Sequence, residues 1–253
     1  MKKNSLLLGT ALALASTASF ADCTSVLSAI GGYTTLETAL TQARNEPNDG
    51  FNLDMWATVV SDDGTVCAVA KTGSDLNSQW LGSRVISAQK ANTANAFSLQ
   101  NSLSLSTANL WAATQPGGSL FGLQFSNPVD TSVAYSGDSS TYGTSSDPMV
   151  GSKIGGVNVF GGGLALYDSN KNMIGAIGVS GDSSCADHNI AWRVRYILNM
   201  AHVPSGVASV GDNIIFDLDS NGKSAGGFGH PTCTNTTSNV LHNAVLVADH
   251  PIQ

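Results

Sequence analysis

Two tight-turn signals do most to constrain what this chain can fold into. Asp62-Asp63-Gly64 lies between the apolar runs Met55 to Ser61 and Thr65 to Lys71, and predicts a β-hairpin. A second pair of runs, Gly163 to Tyr167 and Met173 to Ser180, is joined by the polar turn Asp168 to Asn172. Each hairpin leads into a helical pattern. Ser83 to Leu99 spaces Val85, Ala88, Ala91 and Ala94 three apart, and its Ala and Gln favour the helix. Beyond Asp182 and Ser183, either of which suits an N-cap, Ile190, Val194, Ile197, Leu198 and Ala201 share one face. The hairpin–helix order therefore occurs twice. Paired strands separated by helices predict the α+β class, with helices packed on a central antiparallel sheet. A doubly wound parallel sheet alternates single strands with helices, and this order does not match it.

The remaining chain is divided around that frame. Residues 1–21 have the form of a signal peptide: Lys2 and Lys3, an apolar stretch from Leu6 to Ala15, and a small-x-small end at Ser19-Phe20-Ala21. Residues 22–253 are expected to form a single domain in the periplasm or outside the cell. Thr34-Thr35-Leu36-Glu37 has capping-box form and predicts a helix to about Asn45. Thr107 to Thr114 predicts another short helix, stopped by Pro116-Gly117-Gly118. An insertion is expected near 100–156, where the stretch from 126 is rich in Ser, Gly, Asp and Pro and reads as a long loop. From Pro204 a C-terminal extension is expected to hold strands near Asn213 to Leu218 and Val240 to Val247.

Composition narrows the partners. Charged residues are only 11% of the chain and the net charge is −7, so nucleic acid and anionic membrane surfaces are poor fits. No later stretch is long and apolar enough for a bilayer span. Four cysteines, Cys23, Cys67, Cys185 and Cys233, suggest two disulfides in an exported chain. Three pairings are possible and spacing does not choose among them. Cys23–Cys67 with Cys185–Cys233 is the one we expect, because each bond would tie a chain end to the core. The alternative is a metal site, against which stand the long gaps and the lack of any C-x-x-C.

Several stretches carry candidate chemistry. Gly175, Gly178 and Gly181 are spaced G-x-x-G-x-x-G before a helix, which could cradle a phosphate, or admit another backbone or a flat ligand. Gly178-Val179-Ser180-Gly181-Asp182 falls one glycine short of a nucleophile elbow. Cys185 and His188 lie three apart on one helix face. The positive end of the helix dipole favours neutral imidazole at His188, the form that ligates a metal or haem iron. Asp217-Leu218-Asp219-Ser220-Asn221-Gly222 copies the first half of a calcium loop, but Phe228 takes the place of the closing Glu, and a polar hairpin turn explains it equally well. His230 sits in the glycine-rich loop Gly226 to Pro231 beside Phe228, suited to stacking on and ligating a flat cofactor. Arg84 and Lys90 could pair with ligand carboxylates. His202, His242 and His250 form no pattern, and Asn235-Thr236-Thr237 is a glycosylation sequon.

Three stretches together resemble one family. They are WATVVSDDGTVCAV (Trp56 to Val69), SRVISAQKANTA (Ser83 to Ala94) and GGGLALYDSNKNMIGAIGVSGDSSCAD (Gly161 to Asp187). They are similar to the GlcG/HbpS-like haem-binding proteins, a group that includes the C-terminal domain of the PduO-type corrinoid adenosyltransferase. The resemblance implies profilin- or PAS-like layering of helices on the sheet, homo-oligomers, and non-covalent haem, with haem degradation as the one enzymatic reading. This chain is much longer than the group, and His188 follows Asp187 where the group usually has Glu. The expected haem-facing set is His188 for the iron, with Asp187, Arg84, Lys90 and His230 around it. The expected function is an exported haem carrier or sensor. The alternative is a cofactor-free binding or assembly module, or a sensor of another small molecule.

Overall fold

A computed structural model describes residues 22–234 and 236–253. The expected signal peptide and Asn235 of the sequon lie outside the described residues. Four strands form the central sheet: β1 (Trp56–Ser61), β2 (Val66–Lys71), β4 (Gly163–Tyr167) and β5 (Met173–Ser180). Their order is β2-β1-β5-β4 and every neighbouring pair is antiparallel. The two hairpins thus join through their inner strands, with Trp56 opposite Ser180 and Ser61 opposite Gly175. β3 (Leu103–Ser104) and β6 (Ser205–Gly206) make a separate two-residue parallel pair.

Helices cover both faces. α1 (Cys23–Ile30), α2 (Tyr33–Asn45) and α7 (Ser184–Ile197) lie on one side with Leu36, Leu40, Ile190 and Val194 in the core. Ala57 and Val59 of β1 face this layer. Trp56 and Val60 face the other side, where α3 (Ser83–Phe97) packs through Val85, Ala88, Ala91 and Ala94. Alternation with period two sends β1 side chains into two cores at once, so the whole strand is buried. Gly178 is what lets α3 lie so close. A Cβ there would fall 1.9 Å from the Ser87 carbonyl oxygen and 2.4 Å from the Ala91 nitrogen. The flat guest considered for this glycine-thinned face is therefore displaced by the backbone of α3 itself.

Other expectations need correction. The Thr34 capping box does not form: Gly32 caps α2 without a side-chain bond. The insertion is not an open loop. The short helix expected at Thr107 to Thr114 forms as a 3-10 turn (Thr107–Leu110) running into α4 (Trp111–Thr114), while the stretch read as a loop holds α6 (Thr131–Ala134) after α5 (Leu123–Ser126), and Ala134, Met149 and Ile154 complete the α3-side core. Asn213 to Leu218 is extended but forms no strand beyond a bridge from Leu218 to Ser224. The segment read as a last strand is α8 (Thr236–Asp249), held by the fully buried Leu246. Ile197 points outward, while Leu198 takes its place in the core. The disulfides are Cys23–Cys67 and Cys185–Cys233, and each ties an end of the described chain to the sheet or to α7.

Candidate functional site

The corner between β5 and α7 concentrates the buried polar groups. Ser183 caps α7 by accepting from the Ala186 N–H, at 3.3 Å. Asp182 is used differently. Its carboxylate accepts from the Phe51 and Leu53 amides and pins the 50–53 loop against the helix start. One turn on, Asp187 meets Lys90 of α3 at 2.7 Å, and Lys90 also donates to the Val179 carbonyl at 3.0 Å. Asp187 accepts in addition from the Asp182 N–H. Burial pushes the Asp187 carboxyl up to about 6 against the pull of Lys90, and pushes the Lys90 ammonium down. The pair clamps α3 to α7 past the end of the sheet.

Arg84 is likewise internal. Its guanidinium forms a two-pronged pair with Asp147, donates to the Ala134 carbonyl at 2.9 Å, and lies 3.6 Å from the centre of the Tyr142 ring. It ties the insertion to α3. Arg84, Lys90 and Asp187 were expected to face a ligand. The structure instead buries all three and spends their hydrogen bonds on the fold.

His188 requires the same correction. The ring is fully buried beside Trp192, and its Nε2 is 3.0 Å from Asn213 Oδ1. The Ile214 N–H is shared between Asn213 Oδ1, at 2.8 Å, and His188 Nε2, at 3.2 Å, while the buried Nδ1 has no hydrogen-bond partner among the described residues. Burial holds its pKa down at about 4. The ring is neutral, as helix-end chemistry suggested, but it is walled off from any cleft by Asn213 and Ile214. Beneath it Arg195 and Asp212 form a two-pronged buried pair at 2.7 Å.

Two adjoining clefts lie in the chain beyond Pro204, while smaller ones open beside Arg44 to Leu53 and between Glu37 and Lys71. The larger, of about 620 Å³, is lined by Val207, Ile214, Phe216, Phe228 and Val240, with Asn213, Asp217 and Asn243 as polar members. A neighbouring cleft of about 380 Å³ shares Phe216 and includes His230, Pro231 and Thr232. His230 is thus the predicted ligand that does reach a cleft wall. Its Nδ1 donates to the Pro231 carbonyl at 2.6 Å, and its Nε2 accepts from the Ser184 hydroxyl at 2.8 Å. Burial holds it neutral, at about 4. The calcium-like loop is a self-contained turn: Asp219 accepts from the Asn221 and Lys223 amides, and Asp217 from Ser224 and Gly226. Phe216 was hidden in a segment whose strand signal misled, whereas Phe228, named from the glycine-rich loop beside His230, does line the larger cleft. Asp147 and Asp212 are so far from their arginines in sequence that no spacing rule connects them.

A three-layer α+β domain, with its sheet between helical layers, is the class this geometry defines. Residues 33–194 match the profile of a family described as haem degrading protein HbpS-like, and the chain belongs to that family. The two clefts described above lie beyond the matched region. No curated protein matches the chain. Similar solved structures include Klebsiella pneumoniae protein ORFY, 20% identical, covering 75% of this chain and 97% of that chain with a TM-score of 0.47. A PduOC:heme complex is 22% identical, covers 65% and 89%, and has a TM-score of 0.44. A double mutant of HbpS from Streptomyces reticuli is 13% identical, covers 78% and 99%, and also scores 0.44.

Proposed function

We propose that this chain is an exported haem-binding protein, a carrier or sensor, and that the macrocycle lodges in the larger cleft of the extension. The observation that carries the reading is the family match across the sheet and its three main helices. The cleft supports it by size and chemistry. A volume near 620 Å³ walled by Val207, Ile214, Phe216 and Phe228 suits a flat apolar ring. Its lining holds no Lys or Arg, and Asp217 is acidic, so the haem propionates would face open solvent. The iron-ligand set named from sequence does not fit. His188 is enclosed, and the Nε2 lone pair of His230 is turned to Ser184. The ring is therefore held by apolar contact, and no iron bond is assigned.

Export is supported by the disulfides, which favour an oxidising compartment. No described helix is long and apolar enough to cross a membrane. A homo-oligomer is part of the same reading, checked by light scattering with and without hemin.

The test is a hemin titration of the purified protein, followed at the Soret band. Saturable binding is expected. Phe228→Ala is expected to weaken it by roughly tenfold, the loss of one buried aromatic wall. His188→Ala, in variants that remain folded, is expected to leave the Soret band in place. No saturable Soret change in the wild type would replace haem by a metal-free ligand or a protein partner.

A further inference from the structure

Among the described residues, one cluster brings three metal-ligating side chains together. The Sγ atoms of Cys185 and Cys233 and an imidazole nitrogen of His230 all lie within 4.8 Å of one another. The other disulfide, Cys23–Cys67, belongs to no such cluster among those residues. In the oxidised protein both sulfurs are spent on each other, so the donor set is masked.

The surroundings suit a pair of thiolates. Cys185 is the second residue of α7, and its N–H points at Cys233 Sγ, 3.0 Å away. A thiolate at a helix N-terminus is stabilised by that free amide and by the helix dipole. His230 is already in the neutral form that can coordinate. The smaller cleft reaches the cluster through His230, Pro231 and Thr232, which gives an ion an approach. Two cysteines and one histidine with a fourth position open is a donor set for zinc and other thiophilic divalent cations.

We propose that reduction of Cys185–Cys233 unmasks a three-ligand site for a thiophilic divalent cation, formed by Cys185, Cys233 and His230. The reductant is a dithiol. Its two electrons and two protons convert the protein disulfide to two thiols, and it is itself oxidised to a disulfide. The cation then displaces the two thiol protons, which pass to solvent, and forms two metal–sulfur bonds and one metal–nitrogen bond. His230 gives up its hydrogen bond from Ser184 in the process. The site therefore exists only in the reduced protein, and its metal content reports the redox state of its surroundings. This does not rest on the haem reading.

The experiment uses the full chain with Cys23 and Cys67 replaced by serine, reduced anaerobically with a phosphine and titrated with Co²⁺ as the probe. One Co²⁺ per chain is expected, with sulfur-to-cobalt charge-transfer bands and the visible bands of a four-coordinate ion. The same protein left oxidised should show none of these. His230→Ala should weaken Co²⁺ binding by at least roughly tenfold, since even outer-sphere partners of metal ligands carry that much. Absence of sulfur-to-cobalt bands after reduction, equal binding by the oxidised form, or unchanged binding in His230→Ala would each overturn the proposal. If the serine variant does not fold, the reduced wild type is alkylated in the presence of Zn²⁺ and mapped by mass. Protection confined to Cys185 and Cys233 supports the site, and protection of all four or of none overturns it.

Discussion

Single residues here mostly do structural work that their types disguise. Arg84 and Lys90 are cations in a chain with few charges, and both are committed to one internal carboxylate each. Breaking such a pair strands a buried charge, which costs far more than the pair contributes when intact. Asp147→Ala should therefore lower stability by about 3–5 kcal/mol, read from urea unfolding, while Lys153→Ala, whose exposed partner is Asp63, should shift it by under about 1 kcal/mol. His188 gives a pH signature. Its folded pKa, near 4, lies below its ordinary 6.5, so the unfolded chain binds a proton the native ring refuses. That contribution is complete above 6.5 and is lost as pH falls toward 4, with an upper limit on the order of 3 kcal/mol. The charged groups acting on the ring are Asp212, Arg195 and Lys90. Asp187 titrates with the opposite sign over the same window, because its folded pKa is raised. The check is therefore a comparison of urea midpoints from pH 7 to pH 4 in the wild type and His188→Gln. The variant should lose less stability over that interval, and an equal loss would contradict the assignment.

Elements obey the close approach that Gly178 permits. Gly178→Ala puts a methyl group inside the contact distance of the α3 backbone, where no flexible side chain can yield. Overpacking of this kind typically costs about 1–3 kcal/mol, and with backbone as the obstacle the upper end is expected in thermal unfolding. The same residues explain what was legible in advance. Turn chemistry at Asp63-Gly64 and at Asp168 to Asn172, with the Ala spacing of α3, located both hairpins and their helices because these signals are local. α8 was misread since Val240 to Val247 is a short apolar run that either period can accommodate. Its choice of helix is made by Leu246 packing into the core with α7, a contact between distant parts of the chain. Asn213 to Leu218 carries the apolar run Ile214-Ile215-Phe216, which reads as a strand in isolation, but it joins no sheet beyond the bridge from Leu218 to Ser224. The site followed the same rule: residue types at the α7 corner were visible, but whether they faced outward or inward depended on Asn213 and Asp147, which arrive from the extension and the insertion.

Across the whole molecule, the segments around the sheet are fastened from within. The stretch from 126 to 156 is fastened by Arg84–Asp147, the chain beyond Pro204 by Cys185–Cys233 and α8, and the first helix by Cys23–Cys67. Replacing Cys23 and Cys67 together removes a closure over 44 residues and should lower stability by about 4 kcal/mol in the chain-entropy account, measured by denaturant midpoint. The second bond has a different effect on the intact shape of the protein. It lies across the exposed turn Asp219 to Gly222, with α7 on one side and α8 on the other. A protease that nicks this turn leaves two pieces still held by sulfur. The cut protein should run as one band without reductant and as two with it, and it should keep its cleft-forming segment in place until the bond is opened.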